Sequence, residues 1–343
     1  MSTNLQLALP GLVVEREVEW VFSEDAAEEI MVESFVHTTV MRDLVAQMLR
    51  ENAKTDAPLF VDATLGGGGH TEALLESSDA VRVIGFDRDP AAREAAAARL
   101  ARFGDRLRIV AAPFSRLPEE LAALGVAHVD GLCADLGVSS PQLDDAGRGM
   151  SFRREGPIDM RMDPTSGETA LELIDRLSDE ELADVIFRLG DERRSRRIAR
   201  SLKRALQEND LHTTLDLRRA IVRAVGPVRV GGVDPATRTF QALRIKVNAE
   251  LEELETLLAV ARDVLAPGAP CAIISFHSLE DRLVKQAFRV REQWNVVTKK
   301  PLGPSPEEEE ANPRARSAKL RVATLPMAAD VDDGDAAPES EEP

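Results

Sequence analysis

The feature that most constrains the fold of this chain is an alternation of short apolar runs with helix-like segments. Between residues 59 and 137 the apolar runs are LFVDATL, VRVIGFD, RLRIVAAPF and VDGLCADLG. A fifth run, PCAIISF, begins at Pro270 and is followed by another helix-like segment. Strands that alternate with helices are typical of a parallel sheet covered by helices on both faces. The sequence therefore predicts an α/β fold.

The alternation is interrupted between about residues 145 and 240, where only helix signals occur. Segments such as SDEELADVIFRLG begin at Ser, Thr or Asp with an acidic residue soon after, as capped helices do. Beyond them, apolar residues spaced by three and four predict one long amphipathic helix from Phe240 to Leu265, which Pro267 and Gly268 end. We therefore expect an all-helical domain inserted after the fourth strand of the α/β domain.

Charge separates the ends of the chain from its body. The formal net charge is −17, but residues 1–33 and residues 327–343 each contribute −7. The body is therefore near neutral and can present a basic face, so RNA is not excluded as a partner. The C-terminal segment is acidic and lacks aromatic residues, which predicts disorder. The predicted organisation is an N-terminal extension (1–33), an α/β domain in two parts (34–145 and 240–326), a helical insertion (146–239) and a tail (327–343).

Segment lengths and cysteine content exclude several other classes of protein. No apolar run approaches the ~20 residues that a membrane-spanning helix needs, and the N-terminus lacks the basic region of a secretory signal. Cys133 and Cys271 both lie inside apolar runs, which favours buried reduced thiols over a disulfide or a metal site. These features predict a globular cytoplasmic protein without a bound metal.

A run of four glycines, Gly66–Gly69, joins the first predicted strand to the helix that follows it. A phosphate-binding P-loop would continue with Lys and Ser or Thr, whereas His70 and Thr71 follow here. A dinucleotide fingerprint needs glycines at its first, third and sixth positions, and no count through this run supplies all three. A third ligand, S-adenosylmethionine, carries a sulfonium cation and no phosphate. Glycines permit the close backbone approach that this cofactor needs.

Acidic residues at the ends of two predicted strands favour a cationic cofactor. Asp87 ends the second strand and Asp135 ends the fourth, so both lie at the carboxyl edge where open α/β sheets bind ligands. Asp87 suits the ribose hydroxyls of either NAD or S-adenosylmethionine, but a second acid near the loop suits a cation better than a pyrophosphate. Phe114, predicted to end the third strand, offers a flat surface for adenine.

Two other functions compete with this interpretation. One is an NAD-dependent dehydrogenase, which the missing third glycine and the long loop after the fourth strand disfavour. The other is a nucleic-acid-binding regulator that retains a vestigial nucleoside-cofactor pocket, which the intact loop and both acids disfavour. Equilibrium binding of S-adenosylhomocysteine compared with NADH separates the first alternative from a methyltransferase.

The segment DLGVSSPQLDDAGRGMSFRREGPIDMRMDP, residues 135–164, is a long loop at the ligand edge of the sheet, where such loops are usually functional. It resembles the signature of the bacterial small-subunit ribosomal RNA (cytosine-N4)-methyltransferase family. The resemblance continues in order from about residue 37 to 321 through HTTVM (37–41), TLGGGGHT (64–71), FDRDP (86–90), PATRTFQALRIKVNAELEEL (235–254), SFHSLEDRLVK (275–285) and NPRARSAKLR (312–321).

The resemblance implies a Rossmann-like methyltransferase sheet with an inserted all-helical domain. It also implies S-adenosylmethionine-dependent methylation of the N4 amine of one cytosine in the decoding centre of 16S ribosomal RNA, in the small ribosomal subunit. Two features depart from the family pattern: the acidic extension precedes the usual start, and Met150 replaces an expected aromatic residue. The oligomeric state, including a homo-oligomer, is left open. Matching motifs imply cofactor contacts from Gly68, Gly69, His70, Asp87, Phe114, Asp135 and Gln142.

Two residues at the ligand edge are candidates for catalysis. Asp135 is placed to accept a hydrogen bond from the cytosine amine, which would hold the nitrogen lone pair toward the methyl group. His277 lies just past the fifth strand in SFHSLED, where it can cap the next helix or transfer a proton, and capping is the favoured hypothesis. Asp159 and Arg161 in the long loop can either pair with each other or contact RNA.

A dense basic segment, DERRSRRIARSLKRAL, is the candidate RNA-binding surface. A run of charges is usually a solvated helix face. Here its density within a near-neutral body favours contact with phosphates. The arginines predicted to share one face of this helix are Arg193, Arg197, Arg200 and Arg204.

Overall fold

The computed structural model describes residues 39–228 and 233–327. The predictions for the extension, for nearly all of the tail and for the first two residues of HTTVM lie outside these described residues. One sheet contains seven strands in the order β3–β2–β1–β4–β5–β7–β6. The strands are β1 (Leu59–Asp62), β2 (Arg82–Phe86), β3 (Leu107–Val110), β4 (Gly131–Asp135), β5 (Pro270–Ser275), β6 (Asn295–Val296) and β7 (Lys319–Thr324).

The strand order places a ligand site at the carboxyl edge of the sheet. Strands β1 to β5 are parallel, and β7 is antiparallel to both of its neighbours, β5 and β6. Strand β1 pairs with β2 on one side and with β4 on the other. The chain order therefore reverses at β1, which is the topological switch point where open α/β sheets bind ligands. The predicted α/β fold is confirmed.

The predicted strands are found, with one change that concerns the site. Strand β3 ends at Val110, so Phe114 is not at a strand end but begins a short 3₁₀ turn, Phe114–Arg116. Pro113 precedes this turn and lacks the N–H that a further ladder hydrogen bond would need. Strand β7 was not predicted, because Lys319 and Arg321 interrupt its apolar pattern. Arg321 is nevertheless buried and pairs with Asp281 through Nε, 2.7 Å from Oδ1.

Helices cover both faces of the sheet and form a separate group between β4 and β5. The described residues contain thirteen α-helices: α1 (Arg42–Asn52), α2 (Gly69–Ser77), α3 (Pro90–Leu100), α4 (Leu117–Ala123), α5 (Ser140–Asp144), α6 (Ala170–Arg176), α7 (Asp179–Gly190), α8 (Ser195–Gln207), α9 (Thr214–Val225), α10 (Thr237–Val247), α11 (Glu250–Val264), α12 (Ser278–Ala287) and α13 (Pro306–Ala311). None of these helices is long and apolar enough to cross a membrane.

The single long helix predicted from Phe240 to Leu265 is wrong, because the structure divides this segment into α10 and α11. The break lies at Asn248 and Ala249, and Ala249 has the left-handed φ of 49°. The Asn248 amide donates to the carbonyl of Met160 at 2.8 Å and accepts from the N–H of Met162 at 2.7 Å. The break therefore ties the long loop after β4 to the helices, and apolar spacing alone does not reveal it.

Alternating residues of the central strands divide the core between the two faces. Phe60 packs in the cluster that contains α1, α2 and α3, and its neighbour Val61 packs in the cluster that contains α4, α11 and α12. Cys133 belongs to the first cluster and Cys271 to the second, and both are buried free thiols, as predicted. Burial raises the pKa of each thiol, so neither is expected to be reactive.

A third apolar cluster joins helices α6 to α10. It includes Ile158 and Met160 from the long loop, and Phe240 and Leu243 from α10. Helix α10 therefore packs with the helical group as well as leading into α11. The exact bounds of an inserted domain, residues 146–239, stay a prediction.

Candidate active site

A cavity of about 510 Å³ opens at the carboxyl ends of the parallel strands. Its size lies within the usual range of ~300–1,000 Å³ for small-molecule sites. The cavity is lined by residues from the glycine loop, the ends of β2 and β4, the long loop, and α10 to α12. The predicted site residues that it brings together are Gly69, His70, Asp87, Phe114, Asp135, Gln142 and His277.

The four glycines of the loop have two different roles. Gly66 and Gly67 line the cavity, and a Cβ added at Gly67 would meet nothing within 4 Å. A Cβ at Gly68 would lie 2.7 Å from Leu100 Cδ1, and one at Gly69 would lie 1.7 Å from Thr39 Oγ1. Gly68 does not line the cavity, so the structure gives it a packing role. Gly66 and Gly67, which the sequence analysis had not singled out, line the cavity together with Gly69, and the predicted cofactor contacts of Gly68 and Gly69 stay predictions.

This difference predicts that one of two matched substitutions lowers stability and that the other weakens ligand binding. Gly69→Ala should lower the free energy of unfolding by about 1–3 kcal/mol, because Thr39 must move to make room. Gly67→Ala should leave stability near that of the parent and weaken binding of S-adenosylhomocysteine, because its methyl group enters the cavity. Urea unfolding and calorimetric titration measure the two quantities. Equal stability losses for both variants would contradict the assignment.

Asp87 holds the loop and faces the cavity. Its Oδ2 accepts from the N–H of Gly66 at 2.8 Å, and its Oδ1 accepts from the N–H of Asp89 at 2.8 Å. Burial raises the pKa of the Asp87 carboxyl, although both hydrogen bonds act in the opposite direction. A carboxylate fixed at the end of β2 retains lone pairs for the ribose hydroxyls that the sequence predicts as its ligands.

A buried imidazole next to the loop is influenced by two carboxylates. His70 is only 5% exposed, and its Nε2 lies 3.5 Å from Asp135 Oδ2. Asp62, which is fully buried, accepts from Thr71 Oγ1 at 2.8 Å. Both ring nitrogens of His70 and Oδ1 of Asp135 are buried without a hydrogen-bond partner among the described residues.

Unpartnered buried polar atoms carry a cost of roughly 1–3 kcal/mol each, which a bound ligand can offset. The carboxylates of Asp87 and Asp135 line the cavity beside these atoms, and a neutral or anionic group would not balance that charge. The donor set therefore fits a cationic ligand with amine and hydroxyl donors, and S-adenosylmethionine has this chemistry. A pyrophosphate at this edge would face the carboxylates of Asp87 and Asp135, and no lysine is among the described residues that line the cavity.

The charges around His70 predict a dependence of stability on pH. Burial opposes protonation, but the carboxylates of Asp135 and Asp62 outweigh both burial and the nearby Arg42, and the pKa of His70 is raised. Such a histidine stabilises the fold fully below its unfolded pKa of about 6.5, and the contribution is lost as the pH rises through the folded pKa.

The stability advantage of the parent over His70→Gln should therefore shrink as the pH is raised from about 6 to about 8. Urea unfolding of both proteins at each pH measures it, and groups that titrate alike in the two proteins cancel in the difference. A pH-independent difference would contradict the coupling of His70 to the two carboxylates.

The long loop is anchored to the end of β2 through a buried carboxylate. Asp89 caps α3 and is 2% exposed. It accepts from Gln142 Nε2 at 2.7 Å and from Arg148 Nη1 at 2.9 Å. Gln142 Oε1 also accepts from the N–H of Ser139 at 2.9 Å. Gln142 lines the cavity, but its side chain is engaged with protein groups, so its predicted cofactor contact stays a prediction.

His277 caps α12, as the favoured hypothesis predicted. Its Nδ1 accepts from the N–H of Glu280 at 3.3 Å, and Glu280 Oε2 accepts in return from the N–H of His277 at 3.2 Å. Its catalytic role is not tested by this contact. In the long loop, Asp159 and Arg161 pair with each other, with Arg161 Nη2 2.7 Å from Asp159 Oδ2.

A polar wall of the cavity, formed by α10 and α11, was not predicted from the sequence. Arg244 donates to both oxygens of Glu250, at 2.7 Å from Nε and 2.8 Å from Nη2. Glu253 accepts from Ser115 Oγ at 3.1 Å, and its Oε2 is buried without a partner among the described residues. All three acidic or basic residues line the cavity. They belong to the motif QALRIKVNAELEEL, which could have directed attention to them.

The predicted basic face does not belong to the cavity. Arg197, Arg200 and Arg204 lie on α8 and are exposed, whereas Arg193 precedes the first residue of that helix. The tight turn at 191–194 ends α7 before α8 begins, so Arg193 does not share the helix face. Arg204 Nε pairs with Glu208 Oε1 at 2.8 Å. Contact of these arginines with RNA stays a prediction.

Three features together define a Rossmann-like, S-adenosylmethionine-dependent methyltransferase. They are the sheet with its antiparallel β7, the glycine loop after β1 and the acids at the ends of β2 and β4. Residues 34–325 match the MraW methylase family. The chain belongs to this family.

Two relatives of similar length support this assignment. Ribosomal RNA small subunit methyltransferase H of Sorangium cellulosum (strain So ce56) is 66% identical over 265 residues, which cover 77% of this chain and 84% of the relative. The protein of the same name from Prochlorococcus marinus (strain MIT 9303) is 52% identical and covers 87% of this chain and 96% of its own. Among solved structures, an rRNA methylase from Streptococcus thermophilus superposes with a TM-score of 0.41 at 11% identity, over 83% of this chain and 95% of its own.

Proposed function

We propose that this protein methylates the N4 amine of one cytosine in the decoding centre of 16S ribosomal RNA, within the small ribosomal subunit. The relatives named above are ribosomal RNA small subunit methyltransferases, and the motifs of the cytosine-N4 family run through the chain. The observation that carries the proposal is the pair of buried His70 and partly buried Asp135 beside the glycine loop, in which His70 and Oδ1 of Asp135 have no hydrogen-bond partner among the described residues. The side chains of His70 and Asp135 can interact with both a cationic cofactor and an amine.

The residues that would hold the cofactor follow the edge of the sheet. The backbone of Gly66 and Gly67 permits close approach, Asp87 would bind the ribose hydroxyls, and Phe114 would contact adenine. When bound, S-adenosylmethionine supplies a methyl group that its sulfonium already activates. The main tasks left to the chain are alignment and exclusion of water, which can be worth several kcal/mol of barrier.

The amine of cytosine is a weak nucleophile because its lone pair is conjugated with the ring. Asp135 lies at the end of β4, and its Oδ1 has no partner among the described residues. An acceptor at this position would take a hydrogen bond from the amine N–H and turn the lone pair out of conjugation. His70, 3.5 Å away, would orient the carboxylate. The base must leave its stack to reach this depth, as in other enzymes that modify bases.

Labelled methyl transfer tests this function directly. Unmethylated small subunits and protein-free 16S RNA should each be incubated with the protein and labelled S-adenosylmethionine, and the nucleosides identified after digestion. We expect N4-methylcytidine from at least one of the two substrates. Label in another nucleoside, or in none, would refute the proposal. Tighter binding of NADH than of S-adenosylhomocysteine would favour the dehydrogenase alternative instead.

The exposed arginines of α8 give a separate prediction about RNA binding. Neutralising Arg197 and Arg200 with glutamine should weaken RNA binding and reduce the slope of log K against log salt by about one for each phosphate that is no longer neutralised. Arg188→Gln is a matched control, because Arg188 is exposed on the preceding helix and lies near Asp184. An unchanged slope in the double variant would make α8 a solvated surface.

A further inference from the structure

We propose that His277 is a specificity-determining residue that donates a hydrogen bond from Nε2 to ring atom N3 of the target cytosine. This inference rests on the proposed function and concerns the end of the same cavity that would bind the target base. It gives His277 a role beyond capping α12, and it makes the residue a contact for the base.

The strand order determines the order in which side chains follow one another along the cavity. Along the carboxyl edge, Phe114 follows β3, Asp87 ends β2, the glycine loop follows β1 and Asp135 ends β4. Adenine and ribose groups at β3 and β2 leave the β5 end free for the acceptor base. His277 lies two residues past the end of β5 and lines the cavity there, on the far side of Asp135 from the ribose site.

The cap fixes which ring nitrogen of His277 carries hydrogen. Nδ1 accepts from the N–H of Glu280, so it presents a lone pair. A neutral imidazole has one donor and one acceptor nitrogen, and therefore Nε2 is the donor. Nε2 is buried and has no hydrogen-bond partner among the described residues. Glu280 Oε1 lies 3.2 Å from Nε2 but is not aligned to accept from it.

Two of the neighbouring charged residues, Glu250 and Glu280, already have protein partners. Glu280 Oε2 accepts from the N–H groups of Phe276 and His277, and both oxygens of Glu250 are bound by Arg244. A metal ion held by Glu250, His277 and Glu280 would lie against the Arg244 guanidinium, which already neutralises Glu250. Nε2 of His277 therefore calls for an acceptor at this end of the cavity, and neither Glu250 nor Glu280 requires an added cation.

Cytosine supplies such an acceptor next to its reactive amine. Its N3 carries a lone pair and is bonded to the carbon that bears N4, so one hydrogen bond at N3 positions the ring and with it the N4 nitrogen. Uracil carries hydrogen at N3 and would leave the His277 donor unpaired. Sites that hydrogen-bond a polar group of the substrate reject analogues lacking it strongly, because the buried protein group is then left unpaired.

A serine substitution separates capping from base recognition. His277→Ser retains a good N-cap and removes the Nε2 donor. We expect unfolding and S-adenosylhomocysteine affinity near those of the parent, with single-turnover methylation of unmethylated subunits slowed about 100-fold. Ser178→Ala is the control for a weakened cap, because Ser178 caps α7 away from the cavity. It should lose stability and retain the methylation rate.

Replacement of the target by 3-deazacytidine, which keeps N4 but lacks the N3 acceptor, tests the contact itself. The parent should slow by a similar factor on this substrate, and His277→Ser should show no additional loss. A parent-like rate in His277→Ser, or losses that multiply, would overturn the inference. Absence of N4-methylcytidine with the parent protein would instead refute the proposed function, so the two failures are distinguishable.

Discussion

Replacing Asp135 by alanine is expected to reduce single-turnover methyl transfer by at least about 1,000-fold, near the upper range for one catalytic hydrogen-bonding or acid–base group. The carboxylate is the proposed acceptor for the cytosine amine, and His70 is the residue proposed to orient it. Asp135→Asn keeps the shape and one acceptor oxygen but removes the charge, so its rate should lie between those of the parent and the alanine variant. Rapid-quench measurements with saturating protein report this step.

Asp130 provides a matched control for this experiment. It lies just before β4, at the opposite end of the strand from Asp135, and its Oδ2 accepts from the N–H of Leu59 at 2.8 Å. Asp130→Asn should therefore leave the methylation rate near that of the parent. S-Adenosylhomocysteine affinity, measured in parallel, separates loss of chemistry from loss of cofactor binding. Near-normal turnover by Asp135→Ala would remove this residue from the mechanism.

The parallel part of the sheet could be predicted from the sequence because its signal is local. Each buried strand is a short apolar run that ends at a turn or an acid, and each covering helix shows its own period. The same logic places Asp87 and Asp135 at the carboxyl edge, and both line the cavity. The positions at strand ends follow from topology without any knowledge of side-chain contacts.

The roles of individual glycines could not be predicted, because they depend on residues distant in the chain. Gly68 and Gly69 are required by Leu100 and Thr39, and neither neighbour is identified by the loop sequence. Phe114 was misplaced for a related reason. A strand pattern does not show where the hydrogen-bonded ladder stops, and here β3 ends four residues earlier.

The polar wall of Arg244 and Glu250 was missed because it depends on a break that periodicity hides. Helices α10 and α11 continue the same apolar spacing across Asn248 and Ala249, so the segment is typical of one helix. The break is specified by side-chain hydrogen bonds from Asn248 to the long loop, more than 80 residues earlier. Only the folded chain brings these partners together.

The buried carboxylate of Asp89 is the position where a substitution should have the largest effect on stability. Asp89→Ala is expected to lower the free energy of unfolding by about 3–5 kcal/mol, because it leaves the buried guanidinium of Arg148 without its counter-charge. It also removes the cap of α3 and the acceptor for Gln142. Arg148 Nη2 donates to the carbonyl of Met162 at 2.6 Å, so the loss should extend along the long loop.

Two variants make this experiment specific to the buried network. Asp89→Asn keeps one acceptor oxygen, which can serve either the cap of α3 or Arg148 and Gln142 but not both, so it should cost less than alanine and more than nothing. Glu168→Ala breaks the exposed pair with Arg176 and should cost no more than about 1 kcal/mol. Urea unfolding measures all three, and similar losses for Asp89→Ala and Glu168→Ala would contradict the network. Because the Asp89 N–H donates to Asp87, disorder of this segment in Asp89→Ala should also weaken S-adenosylhomocysteine binding, whereas Glu168→Ala should not.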